Sequence, residues 1–581
     1  MSYKVTVEAA VPMSDGVKLA TDIYVPDSEG PVPVLLVRGP YPKDQTFQSV
    51  GGFSPSISEL MRNGYALAVQ YCRGTFASEG TFVPHVADAS DGADTVRWLV
   101  EQDWCDGNVG AFGGSYLGFV QFHTAATGVE GFKAIAPSIT SADLYHAPWH
   151  SPGGALAFDC MLLWSYLMSS SEVQRKLAAG EGDPLDLLNL VKGLHDRAAL
   201  TTITPVSEHP LVAKHLPAML DVIVGHPDRD DTWTELSALD RVSSMTTPAL
   251  HIGGWYDLFC GETLRAYTTM RADAGSEEAR SGQRLIMGPW SHNPSGMLGH
   301  YPDRDFGMAA NLEAAGLGSR QIAFFDRWLK GNEHALDGVA PVRIFTMGID
   351  QWRDEQDWPL PGTDYVPYYL GGTGTANTAA GAGTLSADAP SIDAVDTYLY
   401  DPRRPVPSLG GTLMNHGGYE GPADQRPLHD RDDVLVFTTD VLTEPLEVTG
   451  PVQATLFVSS SAVDTDFTAK LVDVHPDGRA IILCDGIQRM RYRNSLSSPE
   501  LMAPGEIYEI TLDLMGTSNV FLPGHRILVE ISSSNFPRYD RNSNTGGVIS
   551  EEYESDMVPA VNQLHRGPEY PSRVVLPVVD R

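Results

Sequence analysis

The 581-residue chain contains no apolar run of the roughly 20 residues that a membrane-spanning helix needs. Basic residues are scarce: 40 Lys and Arg against 74 Asp and Glu leave a net charge of −34, which repels phosphate backbones and argues against nucleic-acid binding. The chain has only five cysteines and no C-x-x-C pair. Five scattered cysteines are too few for a disulfide scaffold or a thiolate zinc site. The first residues lack an export signal, so we expect a soluble cytoplasmic protein with no membrane partner.

Motifs for nucleotide and metal chemistry are also missing. The sequence has no H-E-x-x-H, no G-x-x-x-x-G-K-[ST] and no complete Rossmann fingerprint, so we expect neither a cofactor nor a metal. The composition is that of an ordinary globular protein, with 42% hydrophobic and 20% charged residues. The length is sufficient for two to four domains.

Alternating strand-like and helix-like segments predict an α/β domain with parallel strands. Buried strand-like runs occupy 34–37, 65–70, 109–112 and 132–136, with a helical pattern at 89–101. The chain is then mostly helical from 155 to 242, before strands resume at 249–252 and 284–287. We therefore predict a catalytic domain formed by 1–142 and 243–354, interrupted by a helical cap at 143–242.

The remaining segment, 355–581, has a different pattern. A loop rich in Gly, Ala and Thr at 371–383 is followed by many short alternating runs, separated by Asp-Gly and Pro-Gly turns. This pattern predicts an all-β domain of two packed sheets.

Residues 108–118, N-V-G-A-F-G-G-S-Y-L-G, carry the strongest chemical signal. A strand leads into Gly113 and a helix can start after Ser115, as in a nucleophile elbow, which lifts a serine hydroxyl above the sheet. The pattern departs from G-x-S-x-G, because Leu117 takes the last Gly position and Gly118 follows. A G-x-S match alone is weak, since 52–54 and 516–518 also fit; a glycine-rich turn with an incidental serine is the alternative.

An elbow serine requires an acid and then a histidine after later strands of the same sheet. Asp257 ends G-G-W-Y-D and His292 ends G-P-W-S-H, each directly after one of the resumed strands. Singly, either residue could be a helix cap or a turn residue. In this order, Ser115, Asp257 and His292 predict a catalytic triad in which His292 takes the serine proton and Asp257 orients the imidazole.

The oxyanion of such a reaction needs two hydrogen-bond donors. The backbone N–H of Tyr116 is the first candidate. The second should come from the loop after strand 34–37, where Pro40 has no N–H to give but Tyr41 has a hydroxyl. Aromatic packing beside the sheet is the alternative role for Tyr41.

Five segments resemble the CocE/NonD family of acyl esterases, which is related to the X-Pro dipeptidyl-peptidases. They are S-Y-L-G, G-W-Y-D, G-P-W-S-H, S-S-S-A-V-D-T-D-F at 459–467 and N-F-P-R-Y-D at 535–540, and the likeness covers nearly the whole chain. The resemblance implies an α/β-hydrolase domain with an inserted helical cap and a C-terminal jelly roll. It also implies the same triad and oxyanion hole, and an acyl pocket lined by Trp149, Trp164, Phe259 and Met414.

Aromatic walls suit a flat benzoyl-like acyl group. We therefore predict a serine carboxylesterase that hydrolyses small, aryl or benzoyl esters through an acyl-enzyme, with a homo-oligomer left open. Cocaine-hydrolysing members of the family carry an apolar pair where this chain has Met414-Asn415, which leaves cocaine itself open as a substrate.

Two alternatives remain at this point. An α-amino-acid ester hydrolase or X-Pro dipeptidyl-peptidase needs acidic residues for a substrate ammonium, but here Leu258, Phe259 and Cys260 follow Asp257. A carbohydrate-binding protein with an inactive hydrolase half would require all three triad residues to be present by chance.

Overall fold

The computed structural model describes residues 2–43, 53–293, 296–378, 381–414 and 419–580. Strands β1 to β10 span Tyr3–Pro12, Lys18–Pro26, Val32–Gly39, Ala66–Tyr71, Cys105–Gly114, Phe132–Ser138, Leu250–Tyr256, Arg284–Ser291, Val342–Thr346 and Gln351–Glu355. Strands β11 to β21 span Asp364–Gly371, Thr384–Ser386, Ala394–Tyr400, Leu435–Thr438, Leu446–Ser460, Asp466–Val474, Ala480–Arg489, Tyr508–Phe521, Arg526–Ser532, Ala560–Arg566 and Arg573–Val579. Helices α1 to α12 span Ile57–Arg62, Asp88–Val100, Tyr116–Ala125, Phe158–Ala178, Pro184–His195, Arg197–Leu200, Pro210–His215, Pro217–Val224, Asp231–Glu235, Cys260–Asp273, Glu277–Ser281 and Leu317–Leu329.

The first ten of these strands form one sheet in the order β1-β2-β4-β3-β5-β6-β7-β8-β9-β10. Its middle, from β4 to β9, is parallel, and β1, β2 and β10 add antiparallel edges. Strand β3 is buried along its whole length, as its run of Val and Leu predicts. The carboxyl ends of β5, β7 and β8 lie at the same edge of this sheet, where α/β proteins place their sites.

Helices α4 to α9 lie in the segment between β6 and β7, which are neighbours in the sheet. Within the predicted helical segment, the stretch 184–200 is divided into two helices. Helix α5 ends at His195, and the side chain of Asp196, whose backbone is not helical, accepts a hydrogen bond from the N–H of Ala199 and starts α6.

The C-terminal segment is strand-rich, as predicted, and its strands are joined into one hydrogen-bonded network. The reason is the long strand β15, which pairs with β18 along one edge. Along its other edge, β15 pairs first with β21 and then with β20. A single apolar cluster, which includes Trp255, Phe345, Leu514 and Phe521, joins this region to the α/β domain. The predicted domain boundaries themselves stay predictions.

Within the described parts of the chain, no helix is long and apolar enough to cross a membrane. The five cysteines are free and buried.

Candidate active site

Ser115 stands at the turn between β5 and α3. Its backbone has φ 57° and ψ −126°, a conformation that is unusual for a residue with a side chain and is typical of a strained nucleophile turn. The carbonyl oxygen of Ser138 accepts a hydrogen bond from the Ser115 N–H at 3.0 Å, and the Thr140 hydroxyl donates to the Ser115 carbonyl at 2.7 Å. These contacts fix the turn against the neighbouring strand.

The glycines of the elbow are required by close packing. A Cβ on Gly113, which has φ 137°, would lie 2.7 Å from the Cβ of Leu117. A Cβ on Gly118 would lie 2.4 Å from Cγ2 of Thr140. The departure from G-x-S-x-G is therefore accommodated, because Leu117 packs over Gly113 while Gly118 makes the close contact with Thr140.

The structure brings Ser115, Asp257 and His292 together at the ends of three strands. Nε2 of His292 lies 3.1 Å from Oγ of Ser115, and Nδ1 of His292 lies 2.8 Å from Oδ2 of Asp257. Oδ1 of Asp257 accepts a hydrogen bond from the N–H of Phe259 at 2.8 Å. Asp257 is completely buried, so its carboxylate is held by protein donors and screened from bulk water.

The two predicted oxyanion residues lie beside this group. Helix α3 begins at Tyr116, so the Tyr116 N–H has no acceptor within its own helix and lies at the positive end of the helix dipole. The Tyr41 hydroxyl accepts a hydrogen bond from Nε1 of Trp164 at 3.3 Å. Burial raises the pKa of Tyr41, and hydrogen bonds with Trp164 and Ser115 offset part of that rise. Tyr41 therefore stays a protonated donor within reach of Ser115.

The phenol ring of Tyr116 has a separate set of partners. Its hydroxyl donates to Oδ2 of Asp88 at 2.6 Å and accepts from the N–H of His85 at 2.9 Å. Burial and the nearby Asp88 carboxylate raise the pKa of Tyr116 well above its ordinary value. These bonds hold the first residue of α3, and therefore its amide, in one place.

A pocket opens at Ser115 and His292. All four predicted pocket residues line it, and the other lining residues are mostly apolar or aromatic. The pocket-lining set includes Trp149, Trp164, Phe259, Met414, Phe119, Leu144, Pro148, Cys160 and Leu258. Among the described lining residues there is no Asp or Glu. Asn415 lies outside the described residues.

Sequence reasoning missed His85, which also lines the pocket. The imidazole stacks on Tyr116 and Trp164, with ring centroids 4.8 and 5.7 Å away, and meets Phe119 edge-on. Burial lowers the pKa of His85 to about 3, so the ring is neutral at pH 7. No local signal indicated this position, because the segment around His85 is a loop whose backbone has a positive φ of 72°.

A serine on a strand–turn–helix elbow, with histidine and aspartate at the ends of later parallel strands, defines the α/β-hydrolase class of enzymes. The model of the X-Pro dipeptidyl-peptidase (S15) family matches residues 15–294, and that of the X-Pro dipeptidyl-peptidase C-terminal non-catalytic domain matches residues 334–575. Over its full length the chain is 55% identical to the cocaine esterase of Rhodococcus sp. (strain MB1 Bresler), of which 99% is covered. The chain therefore belongs to the family of S15-type hydrolases that includes cocaine esterase.

Solved structures show the same fold. An aminopeptidase from a marine sediment Thaumarchaeota archaeon aligns with all of this chain and 96% of its own, with a TM-score of 0.81 and 25% identity. An α-amino acid ester hydrolase covers 99% of this chain and 97% of its own, with a TM-score of 0.78 and 24% identity. The predicted α/β-hydrolase domain with a strand-rich C-terminal domain, and the prediction of a hydrolase, are thereby confirmed.

Proposed function

We propose that the protein is a serine carboxylesterase that hydrolyses small esters of aryl carboxylic acids, of the benzoyl type, through an acyl-enzyme. The observation that carries this proposal is the pocket beside Ser115, which is walled by aromatic and apolar side chains and holds no carboxylate among its described lining residues. A flat aromatic acyl group gains burial and ring contacts in such a pocket. The full-length relative at 55% identity is a cocaine esterase, which supports the ester as the bond cleaved.

The reaction follows from the hydrogen bonds at Ser115. Nε2 of His292 accepts the Ser115 proton as Oγ attacks the ester carbon, and the buried Asp257 stabilises the imidazolium that forms. The N–H of Tyr116 and the hydroxyl of Tyr41 donate to the oxyanion. The C–O bond to the alcohol then breaks, and His292 returns its proton to the leaving alkoxide. Water, deprotonated by His292, hydrolyses the acyl-Ser115 ester by the same steps.

The α-amino-acid ester hydrolase or X-Pro dipeptidyl-peptidase remains the second candidate, because the S15 family match and both structural neighbours favour it. Such substrates bring a free ammonium close to the scissile bond. An ammonium that is buried without an anionic partner is strongly disfavoured. Glu262, the nearest carboxylate after Asp257 in the sequence, is paired with Arg265 at 2.7 Å and is not among the lining residues of the pocket.

The test is a panel of benzoyl, acetyl and α-aminoacyl esters of 4-nitrophenol, compared by kcat/KM. We expect benzoyl esters to be preferred over α-aminoacyl esters by about 10² or more, since an unpaired buried charge costs several kcal/mol. A preference for the α-aminoacyl ester would overturn the proposal and favour the second candidate.

A variant sharpens this test. Phe259→Glu places a carboxylate in the pocket wall and should raise the ratio of α-aminoacyl to benzoyl hydrolysis. Phe259→Gln is the uncharged control and should leave that ratio low.

Three finer assignments belong to the same proposal. The strand-rich region from 355 to 581 is assigned as a jelly roll, and the helical segment 143–242 as a cap over the pocket. A cytoplasmic location is supported by the five buried free thiols, which suit a reducing compartment. A homo-oligomer would be recognised by size-exclusion chromatography with light scattering.

A further inference from the structure

A second cluster of titratable side chains lies in the strand-rich domain, outside the pocket at Ser115. Asp473 is close to the end of β16, His475 directly follows that strand, and His525 directly precedes β19. The antiparallel pairing of β16 with β19 sets Val474 opposite Arg526, which brings the three side chains to one end of the sheet. The register of two strands therefore assembles a group whose members are 50 residues apart in sequence.

The three side chains present nitrogen and oxygen atoms to one another. Nδ1 of His525 lies 2.8 Å from Oδ1 of Asp473, and Nε2 of His475 lies 3.9 Å from Oδ2 of Asp473. One ligand atom from each residue lies within 4.8 Å of the other two. Ligand atoms around a tetrahedral zinc ion are about 3.3 Å apart. The measured separations of 2.8 and 3.9 Å between the histidine nitrogens and the Asp473 oxygens lie on either side of that distance.

The cluster faces an open space and is not sealed in the core. A surface pocket is lined by all three residues. Asp473 and His525 are buried, but His475 is partly exposed, so its ring can adjust by a small rotation. The pocket supplies an entry route and room for a water ligand.

Arg304 and Arg479 line the same pocket and would repel a cation if their charges were free. Each guanidinium is held by a carboxylate: Arg304 by Asp350 at 2.5 Å and Arg479 by Asp477 at 2.8 Å. The carboxylates offset part of the charge of both arginines. Asp473 remains the anionic member of the cluster, and the chain as a whole carries a net charge of −34, so the surrounding field favours a cation.

We propose that Asp473, His475 and His525 form a binding site for one divalent transition-metal ion such as Zn²⁺, with water from the pocket as the fourth ligand. Two imidazoles and a carboxylate are a donor set that this class of ion prefers. The ion would join the turn after β16 to the turn before β19. It would also stabilise the wall of the pocket at Tyr256, which is the residue before Asp257. The Tyr256 hydroxyl donates a hydrogen bond to the Ile482 carbonyl at 3.2 Å. The expected consequence is stabilisation of the contact between the two domains.

The test uses untagged full-length protein that has been dialysed against EDTA and then into metal-free buffer. Titration with ZnCl₂ in a calorimeter should give one ion bound per chain with micromolar or tighter affinity, and Zn²⁺ should raise the Tm. His475→Ala should weaken this binding by about tenfold or more. His475→Asn serves as a second variant if the first does not fold, and the metal-free Tm shows which case applies.

Two variants locate the ion. His334→Ala is the control, because it removes a histidine from an exposed pair in which Nδ1 of His334 lies 2.8 Å from Oδ2 of Asp337. This pair belongs to no three-ligand group among the described residues. The variant should therefore bind Zn²⁺ as the wild type does. His292→Ala should also retain the site, which separates it from zinc capture at Ser115. Absence of saturable binding to the wild type, or binding that is unchanged in His475→Ala, would overturn the proposal.

Discussion

Two aspartate–histidine pairs among the described residues share the same contact geometry and have different surroundings. Asp257 and His292, and likewise Asp473 and His525, place a carboxylate oxygen 2.8 Å from an imidazole Nδ1. The third partner is the Ser115 hydroxyl in the first case and the His475 imidazole in the second. An aspartate–histidine pair therefore does not define a reaction by itself. The third side chain beside the pair, a serine hydroxyl or a second imidazole, decides between proton transfer and cation binding.

The surroundings of the two pairs also match this division between proton transfer and cation binding. At Ser115 a strained turn, a helix N-terminus and an aromatic pocket suit attack on a carbonyl carbon. The described residues that line the pocket at His475 include no Ser, Thr or Cys, so the second pair has no aliphatic hydroxyl or thiol to activate. The comparison predicts that changes at the first group affect catalysis, and the experiments below test this from the largest expected effect to the smallest.

Ser115→Ala should remove nearly all hydrolysis of a 4-nitrophenyl ester, with kcat lower by about 10⁴ to 10⁶, because no other group takes over the nucleophile's role. The fold should persist, as judged by circular dichroism and Tm. Ser54→Ala is a matched control from another G-x-S segment. The buried hydroxyl of Ser54 has no hydrogen-bond partner among the described residues, so this variant should keep full activity. Substantial activity in Ser115→Ala would move the nucleophile elsewhere.

Asp257→Asn should lower kcat by about 10⁴, since the amide no longer stabilises the imidazolium and favours the wrong tautomer of His292. The control is Asp337→Asn, which alters a pair with the same 2.8 Å contact at an exposed surface, and kcat should not change there. Equal losses in both variants would show that the measured effect is not specific to the group at Ser115.

Tyr41→Phe should reduce kcat by about 10² to 10³, the usual effect of removing one oxyanion donor, with little change in KM. The aromatic ring remains, so its packing against Tyr116, with ring centroids 6.5 Å apart, is kept. A reduction smaller than tenfold would mean that another group donates to the oxyanion, and that Tyr41 serves mainly as a wall of the pocket.

The group at Ser115 was predictable because each of its members directly follows a buried strand with a local sequence signal. The glycines around Ser115 and the G-G-W-Y-D and G-P-W-S-H turns are visible without any tertiary information. His475 and His525 carry no such signal, since only the register between β16 and β19 makes them neighbours. His85 was missed for a related reason: its place in the pocket depends on a loop with positive φ and on rings from distant segments.

The smallest expected effects concern stability, where buried histidines without a catalytic role make the fold sensitive to acid. Burial lowers the pKa of His123 and His150 to about 3 and that of His251 to about 4, from an ordinary value of 6.5. The unfolded chain therefore binds more protons than the folded one between about pH 3 and pH 6.5, and the free energy of unfolding must fall as the pH drops through that window. The Tm should be lower at pH 5 than at pH 7.5.

His150→Phe isolates one contribution to this acid sensitivity. The imidazole of His150 stacks on Tyr145 with ring centroids 4.5 Å apart, and a phenyl ring can keep that contact without taking up a proton on unfolding. The difference in Tm between pH 7.5 and pH 5 should therefore be smaller in the variant than in the wild type. His334→Phe, at an exposed histidine, is the control and should leave that difference unchanged. If His150→Phe retains the full pH dependence, His150 is not among the groups whose protonation drives acid unfolding, and the remaining buried histidines must account for it.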